Sequence, residues 1–254
     1  METKIIMQDE YLEQIEILVA RYQNAEGPLM KLANFAGSNI DSIMSHIPDG
    51  IEIKVEKAIK IALEKAYDAS GTLRSSALTP EVPPYFHKIA ATFSGAVGGA
   101  AGLPGAVAEF PITITTMFSS FQKIAQEYGF DSDNEKTKLE CIKVFTMGGP
   151  LGSDEELDLS FVTAKFSLSG QVVSSLISNA SQKVALMVTQ KLGSQAIPII
   201  GAVTGSALNY TFISFYQEMA HIRFNLKKMQ VENKNRNPLS DFTDFYNQGS
   251  IKAK

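Results

Sequence analysis

Few residues of this chain have side chains suited to catalysis or metal binding: it has one cysteine, Cys141, and three histidines, His46, His87 and His221. A zinc peptidase of the common type needs two histidines four residues apart on one helical face, with a carboxylate nearby. No histidine here lies within five residues of another. A zinc site would therefore need residues that are distant in sequence, such as His87, His221 and Glu109, to meet in the fold. We expect neither a metal nor another cofactor.

Sequence motifs for other reactions are also missing. The chain has no GxSxG motif of the serine hydrolases, no phosphate-binding loop that ends in GK[ST] and no GxGxxG dinucleotide fingerprint. Its clustered glycines follow no predicted strand, so they are interpreted as places where two helices pack closely. These structural glycines are Gly95, Gly98, Gly99, Gly102 and Gly105, with Gly201 and Gly205 in a second stretch.

The single thiol has two interpretations. Cys141 could act as a nucleophile if a histidine activated it. Its neighbours Leu139, Ile142 and Phe145 lie at helical spacing, however, and free cysteine is among the most buried residue types. This pattern favours a core position for Cys141 and leaves catalysis as the weaker alternative.

Glu109 is the only charged residue between Lys88 and Lys123. A carboxylate at a helix N-terminus is stabilised by the macrodipole, so a structural role at the start of a helix is one interpretation. The other is a polar binding site in the interior, for which Asn209 would be a partner. Tyr216 and His221 follow Asn209 at near-helical spacing, a row more typical of core packing than of a ligand site.

Composition restricts the class of protein. The chain has 254 residues, of which 44% are hydrophobic, so disorder is not expected. A net charge of −4 argues against general binding to nucleic acid. One cysteine allows no intramolecular disulfide, which favours a reducing compartment, and the N-terminal residues show no signal peptide. We therefore expect a cytoplasmic protein.

Apolar spacing predicts three helices in the first third of the chain. A helix from residue 7 to 22 would bury Tyr11, Ile15, Leu18 and Tyr22. A shorter helix is predicted between Pro28 and about residue 45. The clearest helix runs from about 48 to 70. Its predicted apolar stripe is Ile51, Val55, Ile59, Ala62, Leu63 and Ala66.

Two segments, 89–122 and 192–217, are nearly uncharged and rich in glycine. Pro104 and Pro111 interrupt the first, so it is predicted to contain a helix to about Ala101, a turn at 102–105 and a helix from 109 or 111 to Tyr128, capped by Gly129. Each segment is about as long as a membrane span. The prolines and small residues favour a place in a soluble core instead.

Further helices are predicted from residue 132 to 147, with Ser132 and Glu135 as a capping box, and in one or two pieces up to Leu192. A helix of nearly thirty residues is predicted after Pro198, followed by a polar tail with a short helix. No alternating strand pattern occurs, so the fold class is all-α, a single bundle of about 7–9 helices around the two glycine-rich segments. The chain is predicted to divide into N-terminal helices (1–47), a main helical domain (48–230) and a polar C-terminal tail (231–254).

Three blocks in this order resemble the EcsC protein family, bacterial proteins named for the third gene of an ABC-transporter operon. The blocks are GGAAGLPGAVAEFPITITTMFSSFQKIAQEYGFD, ECIKVFTMGG and KLGSQAIPIIGAVTGSALNYTFISFYQEMAHIRF. Together with the amphipathic helix before them, they cover about residues 48–228. The resemblance implies a helical protein that is cytoplasmic or peripheral to the membrane, and a partner protein such as a transporter complex.

These observations predict a non-catalytic helical protein that binds a partner protein or associates peripherally with a membrane assembly. The alternative is a peptidase-like hydrolase with a polar pocket around Glu109 and Asn209. Arg223, Lys227 and Lys228 form part of a basic helix end that is either solvated or in contact with anionic lipid.

Overall fold

The structure is a computed structural model that describes residues 10–25, 27, 50–68, 102–147, 170–195 and 198–252. Side chains are described in 10–25, 27, 50–68, 113–147, 171–186 and 213–248. The predicted short helix after Pro28 and the predicted helix up to Ala101 lie outside these ranges.

The described part of the chain folds into seven helices and contains no strand, so the predicted all-α class is confirmed. The helices are α1 (residues 10–25), α2 (Ile51–Asp68), α3 (Gly102–Glu127), α4 (Glu135–Val144), α5 (Gly170–Gln195), α6 (Pro198–Glu232) and α7 (Pro238–Lys252). Helix α2 packs along α3 and α5, and α6 contacts α3, α4, α5 and α7. The long helix α6 therefore touches most of the bundle.

The first two helices bury the faces that their spacing predicts. All four predicted residues of α1 are buried, from Tyr11 at 4% exposure to Ile15 at 0%. All six predicted residues of α2 are buried as well. The periodic placement of apolar side chains was sufficient here because each helix has one apolar stripe and packs through it.

The predicted turn at Gly102–Gly105 is wrong, because α3 begins at Gly102 and continues without a break to Glu127. Pro104 lies in the first turn of this helix. Backbone N–H groups there have no acceptor within the helix, so a proline removes no helical hydrogen bond. Pro111 lies further inside and removes one helical hydrogen bond, a cost that the packing of α3 against α2, α4 and α6 offsets.

Gly129 ends this helix as predicted. Its φ is +85°, a conformation that favours glycine. The Gly129 N–H donates to the Gln126 carbonyl at 2.9 Å and the Phe130 N–H donates to the Ala125 carbonyl at 2.9 Å. This pair of bonds is the Schellman motif, which satisfies carbonyls that the last helical turn leaves open.

The start of α4 differs from the prediction. Its N-cap is Asn134, whose side chain accepts a hydrogen bond from the Lys136 N–H, rather than Ser132. Ser132 is fully buried and instead accepts hydrogen bonds from Gln122 and Gln126 of α3. The predicted capping box is therefore wrong, because Ser132 forms hydrogen bonds with α3 and does not cap α4.

Helices α6 and α7 are both longer than predicted, at 35 and 15 residues. Phe242 of α7 is buried, and the Tyr22 ring of α1 meets the rings of Phe242 and Tyr246 edge to face. The Tyr11 hydroxyl donates to Asp241 at 2.5 Å. These contacts join the first and last described helices to each other.

Within the described ranges, no helix is both long and apolar enough to cross a bilayer.

We expect Ile59→Ala to lower the free energy of unfolding by about 2–5 kcal/mol, because Ile59 is fully buried between helices and its truncation leaves a cavity. Ile61→Ala on the same helix is the control, since Ile61 is 40% exposed, and should change stability by less than about 1 kcal/mol. Urea unfolding followed by circular dichroism measures both. Equal effects of the two substitutions would contradict the orientation of α2.

Candidate functional site

The strongest concentration of charge in the described part lies between α4 and α6. Glu140 is buried, and Arg223 donates to its Oε2 atom from Nε at 2.7 Å and also from Nη2. The Nζ atoms of Lys143 and Lys227 lie 3.3 Å and 3.8 Å from the other oxygen, Oε1. We call these four residues the Glu140 cluster.

Local helix geometry places the members of this cluster. Glu140 and Lys143 are three residues apart on α4, and Arg223 and Lys227 are four residues apart on α6, so each pair shares a helical face. The two faces meet because α4 packs against α6. The apolar side chains around Glu140, namely Leu139, Cys141, Ile142, Val144 and Phe145, are all buried and hold α4 in the core.

Burial by itself would raise the pKa of Glu140, but the charges of Arg223, Lys143 and Lys227 outweigh burial and lower it to about 2. The pKa of Lys143 is lowered, first by burial and also by repulsion from Arg223 and Lys227. The carboxylate is therefore ionised at neutral pH, and three cations surround it.

Cys141 lies beside this cluster and is completely buried. Burial raises the pKa of its thiol well above the ordinary value, and the negative charge of Glu140 adds to the increase. A nucleophilic cysteine needs a stabilised thiolate and access to substrate. The structure agrees with the core position favoured by the spacing of its neighbours and argues against the catalytic alternative.

His221 belongs to a different set of contacts. Its Nδ1 atom lies 3.4 Å from the Tyr128 hydroxyl, and the two rings meet edge to face. Burial lowers the pKa of His221, and the nearby Arg21 guanidinium lowers it further. Arg21 in turn forms an ion pair with Glu218. Among the described side chains, no contact joins His221 to Cys141.

Tyr216 is fully buried, and its hydroxyl lies 3.4 Å from the carbonyl oxygen of Phe145. Its ring packs against the rings of Phe145 and Phe215. Burial raises the pKa of Tyr216, so its hydroxyl stays protonated and can donate to that carbonyl. These contacts place Tyr216 in the core between α4 and α6.

The other predicted site residues are only partly covered by the structure. Glu109 lies on α3 and Asn209 on α6, two helices that contact each other, but their side chains lie outside the described set. The predicted pocket between them remains a prediction. Of the structural glycines, Gly102 and Gly105 lie on α3 and Gly201 and Gly205 on α6, whereas Gly95, Gly98 and Gly99 lie outside the described residues.

No group of three or more histidine, cysteine, aspartate or glutamate side chains within the described ranges is arranged to hold a metal ion.

Glu140 and Lys143 are not among the predicted site residues. The available signal was a pair of opposite charges three residues apart inside the otherwise apolar run LECIKVF. The partner Arg223 is 83 residues further along the chain, where the sequence indicates only a basic helix end. A single sequence does not show which distant helix supplies the countercharge.

We expect Glu140→Gln to lower the free energy of unfolding at neutral pH by about 3–5 kcal/mol, because it leaves buried cations without their carboxylate. The folded-state pKa lies below the ordinary value of 4.5, so the stabilising effect is fully present above pH 4.5 and is lost as the pH falls through about 2. Urea titrations from pH 6 to 2 measure this. A constant difference between wild type and variant across that range would contradict the proposed role of the carboxylate. The control is Glu232→Gln, which removes the exposed partner of Lys228.

We expect the thiol of Cys141 to resist iodoacetamide in the folded protein and to react in urea, because burial blocks access and disfavours the thiolate. Mass spectrometry of the alkylated protein measures the rate. A Cys141→Ala variant that carries the substitution Ser175→Cys at an exposed position of α5 is the control and should react at once. Fast native alkylation of Cys141 would restore the nucleophile hypothesis.

The chain matches a known protein family over most of its length. The sequence profile of the EcsC protein family matches residues 13–228, which takes in α1 as well as the amphipathic helix from about residue 48 and the three blocks after it. No curated protein and no solved structure matches the chain. Because the match runs from the first turn of α1 to the basic end of α6, the protein belongs to the EcsC protein family.

Proposed function

We propose that the protein is a non-catalytic helical protein of the cytoplasm that binds a partner protein through the exposed face of α2. The observation that carries this proposal is the exposure of Ile53 and Ile61, which are 71% and 40% exposed although the helix already buries six apolar residues on its other side. Removing such side chains from water on binding is favourable.

The exposed isoleucines form a stripe. Ile53, Lys57 and Ile61 follow one another at intervals of four residues, and all three are exposed. The other strongly exposed apolar residues in the described part, Ile17, Leu186 and Val231, are on three separate helices. Among the described helices, α2 is thus the one with two strongly exposed apolar residues. Exposed apolar residues with polar residues around them are typical of protein interfaces.

The arrangement of charge favours a protein partner over a lipid surface. Around the stripe, α2 exposes acidic and basic residues in equal number: Glu52, Glu64 and Asp68 with Lys54, Lys57 and Lys65. At the end of α6, Arg223 and Lys227 face Glu140 and Lys228 pairs with Glu232. Anionic membranes attract clusters of uncompensated basic residues, and these helices do not present one.

Three side chains that could do chemistry and that the structure describes have structural contacts instead. Cys141 is sealed in the core, His221 contacts Tyr128, and the Tyr216 hydroxyl lies against a backbone carbonyl. A nucleophile needs a base within hydrogen-bond reach, and these groups belong to separate contacts. This separation supports binding rather than hydrolysis.

A photo-cross-linking amino acid at position 57, between the two isoleucines, tests the proposal in cells of the source organism. We expect one dominant protein adduct, whose yield falls about tenfold when Ile53→Glu is added, since burial of an isoleucine contributes about 1.5–3 kcal/mol. Ile17→Glu is the matched control, because Ile17 is 57% exposed but lies on α1, and should leave the adduct unchanged.

Three results would contradict the proposal. One is an adduct that both glutamate substitutions weaken equally, because the cross-link would then not depend on the exposed isoleucines of α2. Another is sedimentation of the purified protein with phosphatidylglycerol vesicles that Ile53→Glu abolishes, which would favour a membrane surface. The third is peptide hydrolysis that Glu109→Gln abolishes without loss of stability, which would favour the hydrolase.

A further inference from the structure

A series of polar contacts attaches the C-terminal end of α1 to the rest of the bundle. The Arg21 guanidinium pairs with the carboxylate of Glu218 on α6 through Nε and Nη2, and it also forms a hydrogen bond with the Tyr128 hydroxyl. That hydroxyl lies 3.4 Å from Nδ1 of His221, which follows Glu218 by three residues on α6. The end of α1, the residue after α3 and the middle of α6 are therefore joined through these four side chains.

The direction of these hydrogen bonds depends on the charge of His221. A guanidinium has only donors, so the Tyr128 hydroxyl accepts from Arg21. The proton of that hydroxyl can then be donated to Nδ1 of His221, which accepts it only while the ring is neutral and has its own proton on Nε2. Protonation places a hydrogen on Nδ1 and leaves the Tyr128 oxygen between two donors. The series of hydrogen bonds from Arg21 to His221 is then broken.

The charges around His221 act in the same direction. Burial lowers the pKa of His221 and the Arg21 guanidinium lowers it further, whereas Glu127 at the end of α3 and Glu218 raise it. Burial and Arg21 prevail, so the ring is neutral at pH 7. A charged ring would also attract Glu218, which shares its helical face, and would compete with Arg21 for that carboxylate.

We infer that His221 is a pH-sensitive switch whose protonation weakens the attachment of the C-terminal end of α1 to α6 and to Tyr128. Neutral His221 accepts from Tyr128 and leaves Glu218 to Arg21, whereas charged His221 repels Arg21. Ile15 and Leu18 are buried and uncharged, so the switch loosens one end of α1 and does not unfold the helix bundle. This device is independent of the proposed protein-binding face on α2.

The attachment of α1 should therefore be stronger at neutral pH than in acid. The pKa of His221 lies below its ordinary value of 6.5 while α1 is attached. The stabilising contribution of the neutral ring is thus fully present above pH 6.5 and is lost as the pH falls through the lowered pKa.

Hydrogen–deuterium exchange followed by mass spectrometry, at pH 7.5 and pH 5, measures the attachment of α1. Peptides from α2 are the internal reference, because the intrinsic exchange rate changes equally for both helices. On acidification we expect protection in residues 18–25 to fall at least about threefold more than protection in α2. His221→Gln is the matched variant, since glutamine stays neutral and its side-chain oxygen can accept from Tyr128. In this variant the difference between the two helices should disappear.

The titration of His221 itself is followed in NMR spectra of the histidine rings, with its signal assigned by means of His46→Gln and His87→Gln. We expect a midpoint below pH 6.5 that rises toward 6.5 in Arg21→Gln, because that substitution removes the nearby positive charge. Lys228→Gln is the control and should leave the midpoint unchanged, since it removes a positive charge that pairs with Glu232 instead.

Three results would overturn the inference. One is a midpoint for His221 at or above pH 6.5 in the wild type. Another is an equal loss of protection in wild type and His221→Gln on acidification. The third is a loss of protection in the wild type that is the same in α1 and α2.

Discussion

The ion pair between Glu140 and Arg223 is the interaction on which the arrangement of the bundle depends. Both side chains are almost entirely removed from water, so either one without its partner would leave an uncompensated charge in the core. Helix α4 has only ten residues, too few to be stable alone, and it is held by burial of its apolar side chains and by this pair. The pair connects α4 to α6, which itself contacts α3, α5 and α7.

The polar residues in the second half of α6 attach other elements in the same way. Glu218 pairs with Arg21 of α1, and the ring of His221 meets Tyr128 just after α3. The sequence allows a catalytic role for His221 and a lipid-binding role for the basic residues at the end of α6. In the structure these side chains have structural contacts along that helix. The thiol of Cys141 lies buried in the same core.

The proposed protein-binding face and the Glu140 cluster belong to different helices. The exposed isoleucines are on α2, which rests on α3 and α5, whereas the Glu140 cluster joins α4 to α6. The proposed binding face combines a rigid buried side with an exposed side, because six buried apolar residues of α2 support the exposed Ile53. Groups held on packed helices keep their positions, so little ordering entropy would be lost on binding.

The sequence by itself determined the local features: the helical class, the buried stripes of α1 and α2, and the end of α3 at Gly129. Helical periodicity and the positive φ that favours glycine depend on neighbours a few residues away, which a single sequence displays. The tertiary structure decided the rest. Ser132 contacts α3 instead of capping α4, α3 continues through Pro104 and Pro111, and Glu140 pairs with a residue 83 positions away. Which helix supplies a hydrogen-bond donor or a countercharge depends on how the helices pack, because the cost of burying a polar group is met only by the partner that packing brings to it.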